Sequence, residues 1–279
     1  MRSRDLPAEA GFAFLLGLRM EDAMAGSDLL EQAIDAHGGM DRWRSAREVR
    51  VRLSSGGRLF DQRLPKVRRV SGEGHFLTDR PYVEFVGYGS PGRRGVFDHG
   101  AVRIEDPRGT VLGPREDGRA SFAWFSRRLW WDQLDGLYFR GYTMWNYVAA
   151  PFMLAGNGFA LREGTPLQQG DEVWRSLVAT FPPDIPTHSR QQTFYFDERG
   201  WLRRLDYTAE VIYSWATSSN LCYDHKRLSG ILVPTRRRVV LRMGGRPLPG
   251  PTIVWIKVEE FELIPRPAEQ GAKKVGDTG

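Results

Sequence analysis

The sequence predicts a mostly β, α+β domain whose strongly curved antiparallel sheet forms an incomplete β-barrel. Three observations support this prediction: many short strands separated by Gly, Pro and Asp, one leading helix, and one aromatic-rich helical insertion. Strands joined by short turns pair antiparallel, and an open curved sheet leaves a concave face that helices must cover. We therefore expect an interior pocket.

The first predicted element is an amphipathic helix. Ser27 is a suitable N-cap, apolar residues from Leu29 to Ile34 follow at helical spacing, and Gly38-Gly39 ends the helix. We take residues 27–264 as a single domain, 1–26 as a disordered leader or an over-long start, and 265–279 as a disordered tail.

The strands follow a second short helix, which carries Trp43. The hydrophobic period changes to two from Val49 to Leu53, which indicates a half-buried strand. The later strand candidates are Gly57–Leu64, Lys66–Glu73, Tyr82–Tyr88, Gly95–His99, Val102–Glu105, Thr110–Leu112, Val173–Phe181, Arg190–Asp197, Trp201–Tyr213, Leu221–His225, Ile231–Met243 and Thr252–Leu263.

The aromatic insertion spans residues 121–153 and is predicted to form a lid. We expect one helix from Ser121 to Leu137 and another from Thr143 to Met153. The first is apolar on nearly every side, so it should be sandwiched or should cover an apolar opening. Large side chains with one polar atom suit an apolar ligand, although core packing explains them equally well. The ligand-binding candidates are Trp124, Trp131, Tyr142, Trp145, Tyr207 and Tyr213.

Cofactor-dependent and metal-dependent chemistry has no support in the sequence. Cys222 is the single cysteine, and the five histidines show no metal-ligand spacing. The stretch Gly87–Gly92 fits the dinucleotide pattern, but no helix follows it to bind a pyrophosphate. We expect neither a cofactor nor a metal.

Acid–base candidates are the polar groups embedded in apolar strands and loops. Asp224 and His225 end a strand, His188 follows a proline-rich loop, and Tyr147 lies in the insertion. An imidazole near a carboxylate can titrate near neutrality. Neighbouring strand residues point to opposite sides, so Asp224 and His225 could equally be structural, and His188 could be a turn residue.

The charge pattern argues against nucleic-acid binding. The net charge is +6, but the arginines are scattered in twos and threes along predicted strands. Nucleic-acid binders concentrate basic residues on one face or helix. An anionic ligand remains the alternative. We expect no transmembrane segment, because no apolar run approaches the length that spans a bilayer.

The amino-terminal region predicts a cytoplasmic protein, with export as the alternative. The apolar run Gly11–Leu18 imitates part of a signal peptide, but Asp5 and Glu9 interrupt the basic segment before it. If the chain is exported, Ala23-Met24-Ala25 offers a cleavage site.

The run from Asp28 to Gly39, followed by Trp43 and the strand Val49–Leu53, resembles the start of bacterial lipoprotein-carrier proteins of the LolA/LolB type. That resemblance implies an incomplete β-barrel with a helical lid over a hydrophobic cavity. Two functions remain open: a cofactor-independent cyclase or isomerase acting on a hydrophobic metabolite, or a non-catalytic carrier of a lipid or lipid-modified partner. The partner expected in both is a hydrophobic small molecule, and the sequence does not predict an oligomeric state.

Overall fold

A computed structural model describes residues 20–267 of the chain. The α-helices are α1 Met20–His37, α2 Met40–Ser45, α3 Arg58–Arg63 and α4 Gln133–Ala149. Short 3₁₀ helices lie at Pro65–Val67, Ala120–Ala123, Phe125–Arg128 and Phe152–Ala155. The strands are β1 Ala46–Gly56, β2 Val70–Leu77, β3 Tyr82–Val86, β4 Arg94–Asp98, β5 Ala101–Glu105, β6 Val111–Arg115, β7 Ala160–Glu163, β8 Leu167–Gln169, β9 Glu172–Thr180, β10 Gln191–Phe196, β11 Leu202–Thr208, β12 Thr217–Leu228, β13 Ile231–Met243, β14 Arg246–Pro247 and β15 Val254–Pro265.

All strands belong to one antiparallel sheet. Its order is β6-β5-β4-β3-β2-β1-β15-β13-β12-β11-β10-β9-β7, with β14 paired to β13 and β8 paired to β9. Within residues 20–267 the two edge strands, β6 and β7, do not pair with each other. The sheet therefore curves without closing, and the predicted fold class is confirmed.

The first strand lies near the centre of this sheet, and its alternating pattern gives it one buried and one exposed face. β1 pairs with β15 on one side, where Val49 faces Leu263, and with β2 on the other, where Val51 faces Gly74. Val49 and Val51 are fully buried while Arg50 and Arg52 are exposed. Burial of one face therefore fixes the register, because a one-residue slip would expose the valines.

Helix α4 fills the concave face of the sheet. A capping box starts it: the Asp132 carboxylate accepts from the Asp135 backbone N–H at 2.8 Å, and the Asp135 carboxylate accepts from the Asp132 N–H at 2.9 Å. Nearly every residue from Asp135 to Ala149 is buried. Gly141 allows the close approach, because a Cβ there would overlap the ring of Phe97 on β4.

The insertion differs from its prediction. Residues 120–128 form two 3₁₀ turns, and one α-helix, Gln133–Ala149, replaces the predicted pair. The capping box explains the later start, and Pro151 follows the end of the helix. The helix is sandwiched inside the curved sheet as part of its core, which is one of the two placements expected for an apolar segment of this kind.

Two further element predictions are wrong. Gly57–Leu64 contains α3, since Phe60 and Leu64 are buried at an i, i+4 spacing that a short apolar run does not distinguish from a strand. Ser27 lies within α1, which begins at Met20, so residues 20–26 are helical. The rest of the predicted leader (1–19) and most of the predicted tail (268–279) lie outside the described residues. No helix among residues 20–267 is long and apolar enough to cross a membrane.

Candidate functional site

A narrow, mostly apolar pocket lies between α4 and the strands from β11 to β15. Its cavity volume is about 60 Å³. Its lining residues are Leu59, Phe60, Phe139, Arg140, Thr143, Met144, Tyr147, His188, Tyr207, Ala209, Ile212, Ala216, Ser218, Val239, Leu241, Ile253, Val254 and Ile256. An apolar wall with a few convergent polar groups is the usual composition of a small-molecule site.

His188 enters this pocket from the loop between β9 and β10. The loop is anchored to α4, because the Asn146 amide donates to the carbonyl of Pro186 at 2.9 Å. It is also anchored to the sheet, because the Thr208 N–H donates to the Ser189 hydroxyl at 3.2 Å. These contacts hold the imidazole in the protein interior, where it is almost completely buried.

Three tyrosines surround the His188 ring. Its Nδ1 lies 3.2 Å from the Tyr142 hydroxyl, and its Nε2 lies 2.9 Å from the Tyr147 hydroxyl. The Tyr147 hydroxyl continues the chain to the Tyr207 hydroxyl at 2.8 Å. The structure thus brings together four side chains that the sequence singled out separately. We call them the His–Tyr cluster.

Burial sets the protonation states of the cluster. Desolvation, together with the nearby Arg119 cation, lowers the pKa of His188 well below its ordinary value. Desolvation also raises the pKa of Tyr147 to about 12 and raises the pKa values of Tyr142 and Tyr207 well above their ordinary range. At neutral pH the cluster is therefore uncharged. One imidazole nitrogen donates to a tyrosine oxygen, and the other accepts from a tyrosine hydroxyl.

Polar groups behind Tyr147 fix its position. The Arg237 guanidinium donates to the Tyr147 carbonyl and to the Cys222 sulfur, each at 3.0 Å. The Asn220 carboxamide lies close enough to lower the pKa of Tyr147, but it makes no hydrogen bond of normal geometry. Burial raises the pKa of the Cys222 thiol, so this thiol remains protonated near neutral pH.

Among residues 20–267, Arg140 is the one ionised side chain in the pocket wall. It lies on α4, and its guanidinium carbon is 3.7 Å from the centroid of the Phe60 ring. Sequence reasoning missed Arg140. The available signal was a single cation in the middle of the apolar run from Leu137 to Tyr147, where a buried charge is rare.

Asp224 and His225 lie outside the pocket. The Asp224 side chain is 54% exposed and pairs with Arg236 at 2.7 Å, which lowers the pKa of the carboxyl. His225 is half-buried, donates from Nε2 to the Leu202 carbonyl at 2.9 Å, and has a pKa lowered by burial. Neither residue contacts the His–Tyr cluster, because both sit toward the far end of β12. The structure thus places these two catalytic candidates away from the pocket.

The aromatic candidates divide between the core and the surface. Trp131 is buried behind the pocket against Phe60 and Phe139, both of which line it. Trp145 is also buried, but it donates to the Leu77 carbonyl at 2.9 Å and faces a separate surface groove. Tyr213 stacks on exposed Trp215, and Trp124 is 73% exposed. Of the six ligand-binding candidates, only Tyr207 lines the pocket.

No metal centre is formed by the described part of the chain. Among residues 20–267, no group of three or more His, Cys, Asp or Glu side chains is placed to hold a metal ion. The pocket's own polar groups are hydroxyls, one neutral imidazole and one guanidinium.

No family model and no curated protein matches the chain. Similarity is found among solved structures. A LolA superfamily protein from Nitrosomonas europaea is 11% identical, with a TM-score of 0.51 over 87% of this chain and 94% of that one. A DUF1329 family protein from Desulfovibrio piger is 14% identical, with a TM-score of 0.49 over 87% and 93%. A domain described as outer membrane lipoprotein-sorting, from Vibrio parahaemolyticus, is 8% identical, with a TM-score of 0.49 over 90% and 95%.

The chain therefore has a LolA-like fold, as the resemblance of its first elements predicted. The same comparison corrects one prediction. The expected cytoplasmic location is contradicted by the fold that the chain shares with a LolA superfamily protein.

Proposed function

We propose that this protein is a non-catalytic carrier or binding protein for a hydrophobic small molecule, which it holds in the pocket between α4 and β11–β15. One observation carries the proposal: the pocket wall is mainly aliphatic and aromatic, and its few polar groups lie on α4, on the His188 loop and on the neighbouring strands β11 and β12. Such a wall favours an apolar ligand and orients it through few hydrogen bonds.

The LolA-like fold supports the carrier over the enzyme. The solved LolA superfamily protein shares the open sheet at a TM-score of 0.51. An exported location accompanies the carrier proposal. Sequencing the amino terminus of the mature protein from its source tests that location, and an uncleaved terminus in a cytoplasmic fraction would contradict it.

The cyclase or isomerase alternative would use the His–Tyr cluster. Neutral His188 is a potential base and Tyr147 a potential acid, and the two atoms are 2.9 Å apart at the pocket wall. This is the one observation that favours catalysis. Because Asp224 and His225 lie elsewhere, a catalytic role would rest on this cluster alone.

Binding of N-phenyl-1-naphthylamine, an uncharged apolar fluorophore, tests the proposed site directly. We expect saturable binding by the wild-type protein and its loss in Val239→Phe, which adds bulk to a buried pocket wall. The matched control is Val173→Phe on β9, because Val173 is 52% exposed and outside the pocket. Equal binding by both variants, at unchanged thermal stability, would place the ligand elsewhere.

The fate of the bound molecule distinguishes a carrier from an enzyme. Native mass spectrometry of protein purified from its source should show a retained apolar ligand, which the carrier releases chemically unchanged. Conversion of that ligand by the wild-type protein, together with loss of conversion in Tyr147→Phe, would favour the enzyme.

A further inference from the structure

Arg140 is a buried cation without an anionic partner. Arg140 is 1% exposed, and among the described residues no carboxylate lies within ion-pair distance of it. Its Nη2 donates to the carbonyls of Val67 at 2.9 Å and Arg68 at 3.1 Å. Its Nε and Nη1 have no hydrogen-bond acceptor. Burial lowers the pKa of Arg140, and the nearby Tyr88 hydroxyl opposes that shift; this hydroxyl donates to the Gln133 carbonyl, and its oxygen is a neutral acceptor that supplies no negative charge.

A second buried arginine, which lies on the sheet around α4, shows how such a charge is ordinarily balanced. Arg204 on β11 donates from Nε and Nη2 to both carboxylate oxygens of Asp206, at 2.6 and 2.7 Å. A guanidinium stays charged in proteins, and burying it is costly unless an anion and good hydrogen bonds compensate. The carbonyls of Val67 and Arg68 use only one nitrogen of Arg140, so this compensation is incomplete.

The uncompensated guanidinium is placed at the ligand pocket. Arg140 and Thr143 lie three residues apart on the pocket-facing side of α4, and the guanidinium rests on Phe60, which also lines the pocket. Resting on a ring also shields the cation from water. A ligand that enters the pocket therefore meets, in a mostly apolar wall, a guanidinium whose Nε and Nη1 form no hydrogen bond of normal geometry.

We propose that the ligand is an amphipathic acid, with an apolar chain in the pocket and a carboxylate bound by Arg140. This inference rests on the proposed binding function and specifies its ligand class. A carboxylate supplies one negative charge, which matches the one ionised residue of the wall. A phosphate monoester carries up to two negative charges, so part of its charge would be buried unpaired.

Competition for N-phenyl-1-naphthylamine tests this with three probes of equal chain length: dodecanoate, 1-dodecanol and dodecyl phosphate. At pH 8 the full-length wild-type protein should bind dodecanoate about tenfold more tightly than 1-dodecanol, since a charge-assisted hydrogen bond contributes at least that difference. Dodecyl phosphate should bind more weakly than dodecanoate. Octanoate and hexadecanoate then measure how much chain the pocket accepts.

Substitution of Arg140 tests whether this residue causes the preference for dodecanoate over 1-dodecanol. In Arg140→Gln the acid-to-alcohol ratio should fall to about one, because dodecanoate loses its charged partner and 1-dodecanol has no charge to lose. The matched control is Arg68→Gln. It removes an exposed cation near Arg140 but keeps the backbone carbonyl that Arg140 contacts, so it should keep the wild-type ratio. If Arg140→Gln does not fold, the wild-type ratio decides alone, because a purely structural Arg140 gives no preference for the acid.

The possible outcomes separate this inference from the proposed function. Equal binding of dodecanoate and 1-dodecanol by the wild-type protein would overturn the carboxylate site while leaving apolar binding intact. Tighter binding of dodecyl phosphate than of dodecanoate would overturn the choice of headgroup. Failure of all three probes, and of the fluorophore itself, would instead overturn the proposed function.

Discussion

The imidazole of His188 lies flat on the ring of Tyr207, with the ring centroids 3.7 Å apart and the planes within 2°. The loop between β9 and β10 thereby forms one continuous surface with strand β11. Tyr147 bridges the same two residues with its hydroxyl, at 2.9 Å from His188 Nε2 and 2.8 Å from the Tyr207 oxygen. The stacked pair and its bridge hold the polar part of the pocket rigid.

Tyr147→Phe should weaken this arrangement measurably. It removes the hydroxyl that contacts His188 and Tyr207 and leaves one imidazole nitrogen without a partner in the protein interior. We expect unfolding to become easier by about 1–3 kcal/mol, which is the cost of a buried polar group that loses its partner. Urea denaturation checks the value. Tyr195→Phe is the control, because Tyr195 is half-buried on β10 and outside the pocket. A loss no larger than that of the control would contradict the bridging role.

Acidic pH should destabilise the protein through its buried histidines. Burial lowers the pKa of His37 from 6.5 to about 4, and its Nε2 has no hydrogen-bond partner. Between these two pH values the unfolded chain binds a proton that the folded chain does not, so stability falls as pH drops from 6.5 toward 4. The lost stability from His37 is on the order of 3 kcal/mol.

Urea midpoints measured at pH 7 and pH 4.5 test the origin of this loss. His37→Gln should reduce the difference between the two midpoints, because glutamine does not titrate. His75→Gln provides the control, since His75 is half-buried beside Glu73 and Glu48 on the outer side of the sheet. The same pH dependence in wild type and His37→Gln would assign the acid sensitivity to other groups, such as His188.

The fold was largely predictable from the sequence because hydrophobic alternation is local. Strand Ile231–Met243 has its predicted limits, and Val49 and Val51 are buried as their spacing indicated. The start of α4 differs from the prediction, because the capping box of Asp132 and Asp135 lies inside the aromatic run and begins the helix there.

The site was predictable only as separate residues. His188, Tyr147 and Tyr207 were each candidates, but 41 and 60 residues separate Tyr147 from its two partners. Only the pairing of distant strands brings such residues together, and periodicity contains no such information. Arg140 was not predictable for the same reason. Whether a carboxylate lies near its guanidinium depends on which distant residues the fold brings beside it.

The close approach of α4 to the sheet should be intolerant of bulk. In Gly141→Ala the new Cβ would overlap the Phe97 ring, so the helix must shift away from β4. We expect a loss of about 1–3 kcal/mol, which is typical of overpacking and exceeds the small gain in helix propensity. Gly250→Ala is the control, because a Cβ there meets no atom within 4 Å. A stabilised Gly141→Ala variant would show that α4 is not held against β4.

Asp224→Ala and His225→Ala should leave ligand binding unchanged, although both residues were catalytic candidates. Asp224 is exposed in its ion pair with Arg236, and His225 contacts the Leu202 carbonyl away from the pocket wall. Their effects should therefore be confined to local stability. Titration of N-phenyl-1-naphthylamine into both variants and into Val239→Phe measures the difference. If either alanine variant lost binding as completely as Val239→Phe while keeping its fold, the functional site would extend to β12 and the pocket assignment would have to be redrawn around it.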